Sequence, residues 1–432
     1  MYTMLKQQPG RLTGALVLLM AILLVGCSAS KADAETPSQQ AQPVSHPARI
    51  AMTNTWEALA LPVKGAHLEA YAVSPANPQT IFICLSSQSS QLEFWQTHDN
   101  GQHWAQVVLP GGLSGTTCSL SIDRAQPQRI ALAVQTTGNN QLHLYLSNNG
   151  GTSWQHITHS VPASVINQQE ASVSLHMQHI YLWYSYGGGQ NSPQRAMLER
   201  SDDNGQSWTR ADTAFGTSSM FFAPIIGQGE NLAILVQPVS TNKHASSTLW
   251  TSNDSGHSWQ QGKTVPPQVQ AYLQQSPSWP STATPFYALA YEQLPSNLYQ
   301  LQIVQSANGQ QWSGIPGLPV AGTNQKKSGL LQVLGVTDTG QMLAFGVDPN
   351  VGLPVPTGTR QSTKNVWLWI WNPGTARWSV LSKPLEHTTD ESCAALCWNT
   401  QLMSTAQHTS YLYAYHQGEQ DWLYRLRLPN LK

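Results

Sequence analysis

The sequence predicts an all-β chain: a seven-bladed β-propeller of four-stranded antiparallel blades, its ring closed by the N-terminal strand completing the last blade. Three observations carry this expectation. A glycine–tryptophan turn recurs at near-constant spacing, four short strand patterns separate successive turns, and a strand pattern without neighbours stands at each end of the patterned region. A repeat period of this size belongs to stacked units or to a ring.

The turn occurs as THDNGQHW (97–104), SNNGGTSW (147–154), SDDNGQSW (201–208), SNDSGHSW (252–259) and QSANGQQW (305–312). The shared form is Ser/Thr-x-Asp-x-Gly-x-x-Trp. It is complete in the copies carrying Asp99, Gly101 and Trp104, then Asp203, Gly205 and Trp208, then Asp254, Gly256 and Trp259. In the second copy Asn149 replaces the acid, beside Gly151 and Trp154. The fifth has lost the leading Ser and the acid but keeps Gly309 and Trp312. A sixth, WNPGTARW (371–378), is degenerate, with Gly374 one residue too far from Trp378. Successive Trp residues are 50, 54, 51, 53 and 66 residues apart. The residue types have local reasons. A short carboxylate accepts hydrogen bonds from nearby backbone N–H groups, Gly supplies a backbone angle that other residues avoid, and Trp buries a large ring while its N–H finds an acceptor.

Between the first two turns the chain reads AQVVLP, CSLSID, RIALAVQ and LHLYLSNN, four short runs with strand character. Each unit is therefore four strands, A to D from first to last, with the Gly–Trp turn joining C to D. TWEALALP, around Trp56, looks like a strand D with no A to C before it. YLYAY (411–415) and WLYRLRLP (422–429) look like B and C with no D after them. The two ends complete each other, which gives the seventh blade and removes an exposed sheet edge. The propeller is assigned to 51–432.

Ahead of it, Lys6 and Arg11 precede an apolar run from Ala15 to Val25 that is too short to span a bilayer. The run ends in Leu24-Val25-Gly26-Cys27, which resembles the bacterial lipobox. The resemblance implies that 1–26 is a signal peptide, that cleavage leaves Cys27 first, and that Cys27 carries a thioether-linked diacylglyceryl group with acyl chains such as palmitate. Residues 27–50, rich in Ser, Ala, Gln and Pro, read as a flexible tether. The expected location is extracytoplasmic, lipid-anchored at the outer face of the cell membrane or in an outer membrane.

Charged residues are only 10% of the chain and the formal net charge is −1. Without Lys6 and Arg11 the count is 19 bases against 22 acids, or −3. No clustered basic face points to nucleic acid. Besides Cys27 there are four cysteines, an even number that an oxidising compartment would pair. Cys84–Cys118 and Cys393–Cys397 are the favoured pairs, the second requiring a bend in the chain. Neither spacing matches a zinc site, no cofactor is implied, and the chain is expected to be a monomer.

The repeated turn resembles the Asp-box, or BNR, repeat of sialidases, sortilin-like receptors, some glycanases and the photosystem II assembly propeller. The resemblance spans almost everything after residue 50. It implies that the turn acids are structural, on the face carrying the A–B and C–D turns, and that ligands meet the opposite face. Two B–C loops on that opposite face are long: YSYGGGQNSPQR (184–195) and DPNVGLPVPTGTRQSTKN (348–365). Tyr184, Tyr186 and Arg360 are the candidate ligand-facing residues, and Trp279 is a further aromatic outside the repeat. Sialidases carry three substrate-binding arginines, a Tyr–Glu pair and an Arg-Ile-Pro signature. Here Arg49-Ile50 and Arg129-Ile130 are each followed by Ala, and Glu69 and Glu170 have no evident carboxylate partner. No catalytic set is assigned. The expected function is binding or scaffolding at the cell surface, with a protein or glycan ligand. A sialidase-like or other glycoside hydrolase, or an assembly factor of the photosystem II type, is the alternative.

Overall fold

The computed structural model describes residues 56–428 apart from 88–90, 137–140, 162–169, 187–194, 216–218, 222–224, 239–246, 266–270, 274–284, 294–298, 317–329, 338–339, 348–365, 383–397, 405–409 and 417–421. The chain forms a seven-bladed propeller. Blade 1 comprises strands His67–Val73, Ile81–Ser86, Leu92–Thr97 and Ala105–Gln106, paired antiparallel in that order. Blade 2 (Thr117–Ile122, Ile130–Gln135, Gln141–Ser147, Gln155–Ser160) and blade 3 (Glu170–His176, His179–Tyr186, Arg195–Ser201, Thr209–Arg210) repeat the order. Blades 5 and 6 also repeat it. Blade 4 departs in one respect, since its strand A is split into Ser219–Phe221 and Ile226–Gln228, both paired with Asn231–Pro238.

Why the strands take these residues follows from what covers them. Strand B of blade 1, IFICLS, and strand B of blade 2, IALAVQ, are buried at every position. Each blade is sandwiched between two others, so both faces of its inner strands must be apolar or hydrogen-bonded. Strands D form the outer edge of each sheet, and in blade 1 both of its residues, Ala105 and Gln106, are exposed. Seven apolar clusters fill the seven blade interfaces, one between each successive pair and one between blades 7 and 1. Strands A are innermost. In blades 2 and 3 they touch directly, with Val173 N–H donating to Ser119 Oγ at 3.2 Å and Leu175 N–H to Ser121 Oγ at 3.1 Å.

The ring closes as the orphan ends require. Ser410–His416 and Trp422–Arg427 are strands B and C of blade 7, and Glu57–Leu59 pairs with Leu423–Arg425 as its strand D. Trp56 precedes this strand as Trp104 precedes strand D of blade 1. Its ring packs against the blade 6–7 cluster, 6.5 Å from Phe345. Glu57 forms an ion pair with Arg425, and Ala60 O accepts the Trp104 indole N–H at 2.8 Å. The closing strand is therefore held by blade 7 on one side and blade 1 on the other.

Cys84, in strand B of blade 1, and Cys118, in strand A of blade 2, form a disulfide with Cα atoms 6.7 Å apart. The bond staples two adjacent blades across their interface. Cys393 and Cys397 lie outside the described residues. Joining residues 34 apart restricts the unfolded chain by about 3–4 kcal/mol. Reductant should therefore lower the unfolding temperature of the native protein, and Cys84→Ser with Cys118→Ser should lower it in oxidising buffer by a comparable amount. Calorimetry with and without reductant checks both; an unchanged melting temperature in the double variant would contradict the staple.

Candidate functional site

The repeated turns are closed systems. In blade 3 the Ser201 hydroxyl donates to Asp203 Oδ1 at 2.8 Å and accepts from Gly205 N–H at 2.8 Å, while Ser207 N–H donates to Asp203 Oδ1 at 2.8 Å. Blades 1 and 4 repeat this through Thr97, Asp99, Gly101 and His103, and through Ser252, Asp254, Gly256 and Ser258. In blade 2 Asn149 reproduces the pattern with its amide, accepting from Ser153 N–H at 2.9 Å. The residue before each glycine also has positive φ: Asn100, Gly150, Asn204 and Ser255. Asn tolerates that conformation better than most side chains. The fifth turn is one residue shorter than its sequence suggests. Ser306, not Gln305, aligns with Ser201, and its hydroxyl accepts from Gly309 N–H at 2.8 Å.

These bonds set the charge of the turn acids. Hydrogen bonds from His103, then Thr97, lower Asp99 to about 2; those from Ser207, then Ser201, lower Asp203 to about 2. Burial pulls Asp254 upward, but Ser258 and Ser252 bring it to about 2 as well. The turns also lock onto the blade before them. Trp154 stacks edge-on to Phe94 at 5.3 Å, and the Trp259 indole donates to Ala211 O at 2.8 Å. A Cβ at Gly151 would lie 2.8 Å from the Phe82 ring.

Three arginines are committed to the same blade-to-blade contacts. Arg129, 7% exposed, donates to Met177 O, to Gln178 O at 3.2 Å and to Asn204 Oδ1 at 3.1 Å, all in blade 3. Arg200, 5% exposed, donates to Ser255 O in blade 4 at 3.1 Å, where the Tyr181 hydroxyl also donates at 2.7 Å. Arg425 reaches Asn100 Oδ1 in blade 1. They span three different interfaces and do not converge on one anion.

Tyr184 is not on a ligand face. It is fully buried, and its hydroxyl donates to Glu199 Oε2, to which His159 Nε2 of blade 2 also hydrogen bonds at 2.8 Å. Strand alternation turns Tyr184 into the blade 2–3 interface, where Glu199 fixes it. Burial favours the neutral acid, yet hydrogen bonds from His159 and Tyr184 hold Glu199 below the usual range; burial and the Glu199 charge push the Tyr184 phenol up. A Tyr–Glu pair thus exists, but as an interface tie. Tyr186 ends the same strand, His179–Tyr186, and its side chain lies outside the described residues, as do Cys27, Trp279 and Arg360. Glu69 accepts the Ser86 hydroxyl at 2.6 Å, so it too is held by its own blade.

Among the described residues a groove of about 280 Å³ lies on the turn face between blades 4 and 5. Asn231, Thr251, Asn253, Gln260, Phe286 and Asn308 line it. Its walls are amides and hydroxyls with one aromatic edge, and no lining residue is charged. The sequence marks Asn253 and Asn308 only as variable positions of the repeated turn, and Asn231, Thr251, Gln260 and Phe286 belong to no motif. Among the described residues no three His, Cys, Asp or Glu side chains converge to hold a metal ion.

With this geometry in view, solved structures provide the comparison. An oligogalacturonate lyase in complex with manganese superposes with TM-score 0.52 at 10% identity, covering 89% of this chain and 99% of that one. The polysaccharide lyase Uly1 superposes with TM-score 0.51 at 8% identity, covering 84% and 90%. A GH74 xyloglucanase from Xanthomonas campestris gives 0.48 at 16% identity over 84% of this chain, which spans 54% of that protein's length. The shared feature is the propeller fold. No protein-family model matches the chain, and no curated protein matches it.

Two outcomes follow. The turn acids have native pKa values near 2 against about 4 in the unfolded chain, so the stability they contribute is complete above about pH 4 and lost as pH falls through 2. The melting temperature should drop over that window. The triple variant Asp99→Asn, Asp203→Asn, Asp254→Asn, which copies the amide that Asn149 already provides in blade 2, should fold at pH 7 and show a flatter acid limb. Separately, Glu199→Leu should cost about 2–4 kcal/mol in chemical denaturation, because it strands the Tyr184 hydroxyl and His159 without their acceptor.

Proposed function

We propose that this chain is an extracytoplasmic, lipid-anchored propeller of the Asp-box kind, a monomer that binds a protein or glycan ligand at the cell surface rather than turning over a substrate. The observation that carries the binding reading is the commitment of its charged groups. The turn acids, Glu199, Arg129, Arg200 and Arg425 all serve the framework, whereas the blade 4–5 groove presents uncharged amides outward. Recognition by neutral hydrogen-bonding groups suits reversible binding.

Export is supported by two independent features. Leu24-Val25-Gly26-Cys27 closes an apolar run behind Lys6 and Arg11, and the Cys84–Cys118 bond needs an oxidising compartment to persist. Two or more acyl chains at Cys27 would anchor the protein stably, each buried methylene contributing about 0.8 kcal/mol.

Cells fed radiolabelled palmitate should incorporate label into the native protein and not into Cys27→Ala, which should also leave the membrane fraction. Equal labelling of both would overturn the anchor. For the binding role, proximity labelling on whole cells combined with a glycan array should return at least one reproducible neighbour or glycan. Finding neither, or finding release of products from an arrayed glycan, would overturn it.

A further inference from the structure

Aligning the first four blades exposes one position where the framework is left open. In blades 1 to 3 the residue at or just before the start of strand B and the second residue of the C–D turn are hydrogen-bonded to each other on the turn face. In blade 1 these are Thr80 and His98, hydrogen-bonded at 3.2 Å. In blade 2 they are Arg129 and Asn148, at 3.4 Å. In blade 3 they are His179 and Asp202, at 2.7 Å. The register is common to all three, since Ile81, Ile130 and Ile180 pair with Thr97, Ser147 and Ser201.

Blade 4 has the same register, with Leu232 paired to Ser252, and the corresponding residues are Asn231 and Asn253. Among the described residues neither side chain makes a hydrogen bond, and both line the groove between blades 4 and 5. The facing blade adds no competing polar pair, because its residues at these positions are Pro285 and Ala307. The Gln260 side chain, beside Thr251 on the blade 4 wall, is likewise without a partner among the described residues. Three amide side chains therefore converge on one space, each offering a carbonyl acceptor and two N–H donors.

We infer that this groove is a binding site for a neutral sugar residue of a glycan, with Asn231, Asn253 and Gln260 as its hydrogen-bonding groups. The inference deepens the binding reading above and rests on it. Amides that both donate and accept match the paired hydroxyls of a sugar, which do the same. No charged lining residue is present to attract a uronate, a phosphate or a sulfate. The volume, about 280 Å³, falls just under the range of pockets for drug-sized ligands and suits one or two rings. Phe286 is 4% exposed, so the groove offers little apolar surface for the side chain of a bound peptide.

The test uses the full-length lipidated protein in nanodiscs, which avoids sugar-headed detergents. Binding is read on an array of neutral hexose and N-acetylhexosamine oligosaccharides beside uronate-containing ones, and confirmed by saturation-transfer NMR. The variant Asn231→His with Asn253→Asp rebuilds in blade 4 the pair that blade 3 carries, closing the groove without opening the fold. Gln260→Leu is the second variant, and melting temperatures confirm that both are folded. Neutral oligosaccharides should bind, and each folded variant should weaken binding about tenfold or more. Binding unchanged in both variants, binding of acidic oligosaccharides alone, or displacement by peptide rather than by sugar would overturn the site. A cell-surface neighbour that both variants still label would leave the binding role standing without this groove, whereas loss of every ligand and neighbour in the native protein would remove both.

Discussion

A four-stranded sheet that is apolar on both faces cannot stand alone in water, and everything else in this molecule answers that constraint. Strand B of blades 1 and 2 is buried along its whole length, so each blade needs a neighbour on either side. Only a closed ring gives every blade two neighbours. Closure depends on three residues, Glu57–Leu59, completing the last sheet. So short a strand would be weak alone. It is reinforced by Trp56 against blade 6, by the Glu57–Arg425 ion pair within blade 7, and by the Trp104 indole of blade 1 on Ala60 O.

Packing apolar faces leaves the turns at the blade edges, where backbone carbonyls would be buried without water. The fold satisfies them from the preceding blade. Tyr181 and Arg200 are cross-strand partners in blade 3, and both donate to Ser255 O of blade 4. Tyr413 and Arg425 are partners in the same register in blade 7; they reach Pro78 O and Asn100 Oδ1 of blade 1. In blade 1 the corresponding pair is Phe82 and Gln96, which presses on Gly151 of blade 2 instead. The same two positions thus serve as a clasp, polar or apolar according to the turn they meet. This is why Arg200 is buried, and why removing it would delete a hydrogen bond between blades rather than merely a surface charge.

Much of this architecture is legible in the chain. The spacing of Gly101, Gly151, Gly205 and Gly256 to their tryptophans locates four turns, and the orphan patterns at Trp56 and at 411–429 supply the blade count. What is not legible involves relations between blades. Alternation shows that Tyr184 leaves its sheet, but not that Glu199 and His159 wait on that side. The spacing of the motif misses the fifth turn's hydroxyl because Ser306 stands one place late, while strand register keeps it in role. The split strand A of blade 4 has no motif at all.

The groove also changes what the repeated turn means. Its recurrent part, a hydroxyl that bonds both an acid or amide and the glycine N–H, is self-contained, so the remaining positions can vary without loss of the turn. Those variable positions are where the blades differ in chemistry. His98, Asn148 and Asp202 are tied back to their own blades, and Asn253 faces outward. A turn face assembled from such units is stable regardless of what its free positions carry. Recognition can therefore arise on the face that the structural acids had marked as inert, from the residues between them.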